Sequence, residues 1–509
     1  MRKYSEFLPI ALLLTAALLV GALIVKDYGQ SWDEPDIYRY ADYALGAYRY
    51  FFHTARLSPF SSNLNLYGPA YFMAADLGAR LIIRLVPQWS QVDAWHFIYF
   101  LTFLACVLCI YLLSRRWATP AAALGAAILF LTQPLLWGHA FINPKDIPFM
   151  TLFAASILAG LVMIDRYKAR RRLELAMVPA SILFGITCTL RVIGPWAGII
   201  VLGYAVYKLR GGVVALAAAY LVLATITAYV AWPYLWTSPI SHLIESVQTM
   251  SAFPFPAAVL FEGQLYKPGS LPRSYFPVLL AVQLSESALL LIGAGIAASI
   301  VPLFKRRHWQ SLGLFLAWFL IPALVVIGLG SPLYDNARQL YFLLPPLFIL
   351  AGIALDRLFA YLTHPVMQAA AMLLAALPGV LIGARLHPYE YVYYNALVGG
   401  TGGAYREFEM DYWGISFKEL SEYMNATAPP DARVLVFGPD RTVARYARPD
   451  IQVFVPGEAS NATYEYVLLL TRKDLDERRC TKAKTVDAVG RRGAVFSVMK
   501  SIPSGVPCP

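Results

Sequence analysis

FLPIALLLTAALLVGALIVKDYGQSWDEPDIYRYADYAL, residues 7–45, joins an unbroken apolar run to a polar stretch in which two carboxylates, Asp33 and Glu34, stand among aromatic rings. The run at 7–25 follows Arg2 and Lys3 and is long enough to cross a hydrocarbon core of about 30 Å. It is longer than a usual signal-peptide core and no small-x-small cleavage site follows, so it reads as an uncleaved first membrane helix. The rest of the chain repeats the pattern. Its 509 residues are 58% hydrophobic and 14% charged, with a mean hydropathy of +0.55, too apolar for one soluble core and expected of a polytopic α-helical membrane protein.

Apolar runs of about 20 residues predict about eleven transmembrane helices. They lie near 7–25, 95–113, 119–137, 147–165, 175–190, 192–209, 213–231, 278–303, 311–330, 340–356 and 365–385. The net charge of +11 argues for nucleic acid only if the basic residues are gathered on a soluble face, and they are not. They form short clusters between apolar runs: Arg115-Arg116, Arg166 with Lys168 and Arg170-Arg171-Arg172, Lys208 with Arg210, and Lys305-Arg306-Arg307. That is the positive-inside pattern, which puts these clusters and the N-terminus in the cytoplasm and the tail from Leu386 outside. No nucleic-acid partner is expected.

The expected organisation is a membrane module over 1–385 with long outer loops at 26–94 and 232–277, a connecting segment at 386–415, and a small extracytoplasmic α/β domain over 416–509. The loops are rich in Pro, Tyr, Phe and Trp, as are amphipathic helices lying in the headgroup layer. In the tail, ARVLVFGPD, IQVFVPG, YEYVLLL and GAVFSVM are short strand-like runs separated by turn residues. Cys106, Cys109 and Cys188 fall within apolar runs and read as buried thiols, whereas Cys480 and Cys508 could pair in an oxidising compartment or remain apart. Asn425 and Asn461 head Asn-Ala-Thr triplets, which carry meaning only in a host that glycosylates them.

Carboxylates at the end of a membrane helix can be there simply because they are solvated. The other outer segments add to them. HAFINPKDIPF (139–149) packs His139, Asn143, Lys145 and Asp146 into one short turn, Arg191 stands in TLRVIGP against the positive-inside bias, and SPLYDNARQLYF sets Tyr334, Asp335 and Arg338 at the mouth of the tenth run. Asp335 and Arg338, at i and i+3, share a helix face. Charges at a bilayer face are costly unless paired, hydrated or used. Cations to hold a phosphate and a carboxylate to handle a proton would suit an anionic amphiphile whose tail stays in lipid. His139 and His387 lack a second histidine at ligand spacing, and a structural hydrogen-bonding role is the simpler reading of both.

WDEPDIYRYADYAL, NLYGPAYFM, HAFINPKDIPF, YDNARQLYFLLPPLFIL and HPYEYVYYNALVGG together resemble the GT-C membrane glycosyltransferases, within them the protein O-mannosyltransferases and lipid A aminoarabinose transferases, over roughly residues 1–400. The resemblance implies a polyprenyl-phosphate sugar as donor, undecaprenyl phosphate being the carrier in a bacterial inner membrane. It also implies an acceptor hydroxyl on a lipid, glycan or protein at the outer face, and inversion at the anomeric carbon. Carried over, Asp33 is the general base and Glu34 its neighbour that orients or tunes it, while Lys145, Arg191 and Arg338 hold the donor phosphate. Asp146, His139, Asn143, Tyr334, Asp335, His387 and Glu390 are further site candidates. A divalent cation held by Asp33 and Asp146 is one option, not a requirement. The aminoarabinose transferases carry an acidic and a basic residue where this chain has Tyr67 and Gly68. The rival reading is a transporter or flippase of a lipid-linked sugar, which would place polar residues near the midplane or in paired broken helices.

Overall fold

The computed structural model describes all residues except 1–5, 55–62, 171, 173–174, 210, 252, 254, 301–308, 459–462 and 504–509. Arg171, Arg210, the Lys305-Arg306-Arg307 cluster, Asn461 and Cys508 thus lie outside the described residues.

The first apolar run folds as α1 (Leu8–Ile24) and continues through a tight turn to Asp27. The first long loop contains two amphipathic helices, α2 (Glu34–Thr54) and α3 (Ala70–Leu85). Then follow α4 (Gln91–Ser114), α5 (Pro120–Leu131), α6 (Pro134–Ile142), α7 (Asp146–Arg170), α8 (Met177–Leu190), α9 (Pro195–Leu209) and α10 (Val213–Val230). The second long loop holds α11 (Pro239–Ser251) and the hairpin β1 (Val259–Phe261) with β2 (Gln264–Tyr266). The membrane module closes with α12 (Tyr275–Gln283), α13 (Glu286–Ile300), α14 (Trp309–Phe315), α15 (Ile321–Leu329), α16 (Pro345–Tyr361) and α17 (Pro365–Leu386).

Among the described residues six helices are long and apolar enough to cross a membrane, or up to eight if each of two bent pairs is one span. The expected number of eleven is not reached by length. Two of the runs form helices of 14 and 15 residues, α8 and α9. Two others break: α5 meets α6 at 64° and α12 meets α13 at 115°. Pro134 starts the second helix of the first pair and cannot donate to the preceding turn. The two breaks are stitched together, since Gln133 accepts from the Ser285 backbone at 3.0 Å and donates to its hydroxyl at 3.0 Å. Large apolar side chains such as Leu23, Leu85, Val214, Leu290 and Leu329 stand exposed on these helices. Only a lipid surround removes that cost, and the chain is a multi-pass membrane protein.

Beyond α17 the chain does not cross open space as a linker. Tyr389, Tyr391, Tyr394, Tyr412 and Trp413 are buried between the membrane helices and the tail. The segment passes so close to α6 that a Cβ on Gly138 would lie 2.4 Å from the Tyr391 backbone nitrogen. After α18 (Phe417–Thr427) comes a five-stranded mixed sheet ordered β4-β3-β5-β7-β6, with β3 Arg433–Phe437, β4 Gln452–Phe454, β5 Tyr466–Leu470, β6 Lys484–Arg491 and β7 Ala494–Ser501. β3 pairs in parallel with β4 and β5, and β7 runs antiparallel to β5 and β6. The inner strands read LVF and VLLL without alternation because both faces are covered. Cys480 is buried and disulfide-bonded, while Cys106, Cys109 and Cys188 are free. The Asn425 side chain donates to the Tyr446 carbonyl and accepts from the Arg448 backbone, each at 2.8 Å, a structural use of that residue.

The basic ends of α4, α7 and α9 gather at one face. Arg115 pairs with Glu6 at 2.9 Å and Arg116 with Asp165 at 2.6 Å. α7, with 25 residues at about 1.5 Å each, carries its first turn to the opposite face, beside the long loops and the tail domain.

Candidate active site

Asp33 precedes α2, and its carbonyl accepts the Ile37 N–H at 3.1 Å, closing the first turn. Its carboxylate is free of that duty and reaches Lys145 Nζ at 2.6 Å, with the side chain 32% exposed. Glu34 takes the other direction. Fully buried, it accepts the Ser31 N–H at 2.6 Å and the Tyr38 hydroxyl at 2.8 Å, and lies 3.1 Å from His96 Nε2. Adjacent carboxylates in WDEPD therefore have separate surroundings: one faces a cation and an opening, the other braces the start of α2.

In HAFINPKDIPF, Asn143 makes the turn. Its Oδ1 accepts the backbone N–H of Lys145 at 3.1 Å and of Asp146 at 2.8 Å, satisfying donors at the start of α7. That turn sends Lys145 toward Asp33 and Asp146 inward. Asp146 receives Arg191 on one oxygen and Arg338, at 2.7 Å, on the other. His139, one turn earlier on α6, receives Asn143 Nδ2 on Nδ1 at 3.1 Å. Its Nε2 lies 2.8 Å from the Tyr412 hydroxyl and 3.0 Å from that of Tyr341.

Asp335, Asn336 and Ala337 all adopt positive φ, at 52°, 56° and 55°, a conformation that costs side-chain-bearing residues about 1 kcal/mol each or more. The turn is held by Asn336 donating to the Glu409 carbonyl at 3.1 Å and by Asp335 taking Arg472 at 2.5 Å. It delivers Arg338 between Asp335, at 3.1 Å, and Asp146, with the guanidinium 4.4 Å over the Trp413 ring and 5.5 Å over Tyr334. Arg472, from the tail, also binds Glu409. Arg191, Asp146, Arg338, Asp335, Arg472 and Glu409 thus alternate in sign along one buried chain, with the Lys145–Asp33 pair beside it.

The electrostatics follow from this crowding. Burial works to raise the Asp33 carboxyl, but Lys145, Arg338 and Arg191 together outweigh it and hold the group below its ordinary value. For Lys145 burial acts downward and Asp33 upward, and Asp33 prevails, leaving the ammonium above its usual range. Tyr67 lies under Lys145, 5.6 Å from Nζ to the ring centroid. Gly68 admits nothing larger, since a Cβ there would be 2.2 Å from Thr189 Cβ at the end of α8. Tyr67-Gly68 thus supplies an aromatic support and a close backbone approach.

An apolar cavity of about 740 Å³ opens here, its walls including Tyr67, Arg191, Trp196, Trp232, Tyr334 and Gln339. The divalent-cation option does not suit this arrangement. Asp33 and Asp146 are each already neutralised by cations, and the described residues contain no group of three or more His, Cys, Asp or Glu able to hold a metal.

The structure brings Asp33, Lys145, Asp146, Arg191, Tyr334, Asp335 and Arg338 into one contact network, with His139 and Asn143 bracing its turn. His387 and Glu390 belong elsewhere. They pair with each other at 2.7 Å, His387 also meets Asp27 at 2.9 Å, and Tyr28 donates to Glu390 at 3.1 Å. Sequence reasoning missed Arg472, His96, Trp413 and Gln339. Of these, Trp413 was signalled by the dense aromatic segment containing it, whereas Arg472 sits in an ordinary turn of the tail.

No protein-family model matches the chain, and no curated protein matches it by sequence. Solved structures do. ArnT from Cupriavidus metallidurans in the apo state aligns at 15% identity and a TM-score of 0.53 over 96% of this chain and 97% of that one. The same protein bound to undecaprenyl phosphate aligns at 16% identity and a TM-score of 0.53 over 97% and 98%. The Archaeoglobus fulgidus oligosaccharyltransferase in its apo form aligns at 12% identity and a TM-score of 0.47 over 89% and 69%. At these identities the ArnT likeness is one of fold, and that fold is the GT-C arrangement.

Proposed function

We propose that this chain is an integral membrane glycosyltransferase that moves a sugar from a polyprenyl phosphate to an acceptor hydroxyl, with Asp33 as general base and inversion at the anomeric carbon. One observation carries the reading: the partly exposed carboxylate of Asp33 meets Lys145 where Arg191 and Arg338 also converge and an apolar cavity opens. The GT-C fold supports it, as does the undecaprenyl phosphate bound by the Cupriavidus protein.

In this mechanism the prenyl tail occupies the cavity and the phosphate comes to rest among the cations. Lys145, on a flexible stem in the most exposed ion pair of the network, turns from Asp33 to the phosphate. Asp33, released, accepts the proton of the acceptor hydroxyl as its oxygen bonds to the anomeric carbon. The bond from that carbon to the phosphate oxygen breaks, and its electron pair leaves with the polyprenyl phosphate, stabilised by Lys145 and Arg191. Glu34 is too enclosed to touch substrate and acts through the loop it braces. The reaction belongs to the outer face of a bacterial inner membrane, with the N-terminus cytoplasmic and the tail domain outside.

The test uses purified protein in lipid, radiolabelled polyprenyl-phosphate sugars and a membrane extract, wild type beside Asp33→Asn. Transfer by the wild type and loss of transfer with retained donor binding in the variant uphold the reading. If neither protein transfers label but both carry the lipid across vesicles, the flippase reading takes its place.

A further inference from the structure

A second cleft, of about 430 Å³, shares no lining residue with the apolar cavity. Its walls come from α2, α3, the start of α4 and the short tail helix Asp440–Tyr446. Four arginines, Arg39, Arg80, Arg441 and Arg445, line it together with Asp42 and Asp76. Asp36, beside it, pairs with Arg39 and, at 2.7 Å, with Arg441. Arg80 places Nε on Asp76 at 2.6 Å and Nη2 on Asp42 at 2.7 Å, which leaves Nη1. Arg445 has no ion pair among the described residues, so three carboxylates meet four guanidiniums and one positive charge is left over. Gln30 is pinned here by its backbone, its N–H on the Tyr446 hydroxyl at 3.0 Å and its carbonyl accepting the Thr442 hydroxyl at 3.3 Å. The residue is 4% exposed, and its amide has no hydrogen-bond partner among the described residues. Neither amide atom is sealed, and the cleft that Gln30 lines is where they are reached.

Arginines with an uncancelled charge select an anion, and an amide that both gives and takes matches a hydroxyl next to it. The outer face of α3 indicates how such a group arrives. Leu77, Leu81 and Leu85, four residues apart, stand 55%, 56% and 72% exposed. Arg80 and Arg84 occupy the adjoining strip of the helix, and Arg84 is exposed as well. An apolar row edged by arginines is the pattern of a helix lying in the headgroup layer, where cations meet lipid phosphates. We propose that the cleft holds the headgroup of an anionic phospholipid, with its phosphate at Arg80, Arg441 and Arg445, a headgroup hydroxyl at Gln30 and its acyl chains along the leucine row. Arg80 belongs to the membrane module and Arg441 and Arg445 to the tail, so the lipid ties one to the other. The site is separate from the apolar cavity and does not rest on the glycosyltransferase reading.

The full chain, wild type and Arg445→Gln, is placed in nanodiscs of phosphatidylcholine alone and of phosphatidylcholine with phosphatidylglycerol, whose headgroup carries hydroxyls. Retained lipid is counted by native mass spectrometry, and thermal midpoints are taken in both membranes. Arg445 is exposed and outside every ion pair, so in phosphatidylcholine the variant should melt with the wild type. Phosphatidylglycerol is expected to raise the wild-type midpoint by a few degrees. The variant should bind it about tenfold more weakly, as for a lost charge-assisted hydrogen bond, and lose most of that rise. Equal retention and equal midpoints in the two proteins overturn the proposal and assign the lipid to another basic surface, such as the ends of α4, α7 and α9. A variant that melts lower in phosphatidylcholine overturns it too, because Arg445 is then structural. Glycerol 1-phosphate added to phosphatidylcholine nanodiscs separates the sources: no stabilisation is expected, and a rise equal to the lipid's would make the cleft a site for a soluble phosphate ester and overturn the lipid assignment.

Discussion

Two networks of paired charge lie outside the ends of the membrane helices, and they are built differently. In one, Asp27, His387, Glu390 and Tyr28 tie the end of α1 to the end of α17, with His387 holding a carboxylate on each ring nitrogen. In the other, Asp33, Lys145, Asp146, Arg191, Asp335 and Arg338 come from separate turns and meet beside a cavity. Both are paired, so pairing alone does not mark a site. The second differs in bordering an open volume: its Arg191 lines the cavity, as do Tyr67 beneath Lys145 and Tyr334 beneath Arg338. The first is a fastening.

Substitutions test that contrast. Asp33→Asn removes a base without emptying space, and transfer should fall about 10³-fold, within the range for lost acid–base catalysis, while donor binding and thermal midpoint persist; single-turnover rates beside binding isotherms would show it. Arg338→Met leaves Asp146 and Asp335 short of a buried partner and should cost about 3 kcal/mol of stability, as broken buried pairs do. A thermal midpoint close to wild type would show that the network is less tightly closed than its geometry indicates. Lys145→Met should lower transfer about 100-fold, as for loss of one donor to developing charge. It should also shift the acid limb of the rate profile upward in pH: Asp33 must be deprotonated to act, and without Lys145 burial is no longer outweighed as strongly.

The smallest effect belongs to the fastening. At His387 burial acts downward, but Glu390 and Asp27 prevail and raise the imidazole above its ordinary value. The folded state then binds more proton than the unfolded one, so this contribution is fully present below about pH 6.5 and is lost as pH rises through the folded value. His387→Gln should flatten that slope and change stability by less than about 1 kcal/mol, given the solvent exposure of the pair. Transfer rates unchanged in that variant would keep the two networks distinct; a large loss would join them.

Much of this was legible locally. The apolar runs announced the membrane helices, and the strand-like runs of the tail announced a sheet. HAFINPKDIPF carried its own turn, because Asn143 and the two residues it caps are neighbours in sequence. What the sequence concealed was long-range or directional. Asp146 meets Arg191 and Arg338 from 45 and 192 residues away, separations at which no periodicity speaks. Nothing in the string WDEP says that Asp33 turns out and Glu34 turns in, since that depends on His96 arriving from α4 and Lys145 from the turn before α7. The runs at 119–137 and 278–303 looked continuous because composition counts apolar residues and not bends. The breaks at Gln133 and Ser285 owe their stability to each other.

Arg472 gives the tail a part in the order of manufacture. A ribosome releases Asp335 and Glu409 long before Arg472, so the membrane portion is finished while two of its carboxylates still lack their shared cation. Wrapping up the tail is the event that closes the set. An incomplete chain, however well inserted, carries an unfinished charge network, and the tail is what makes it whole.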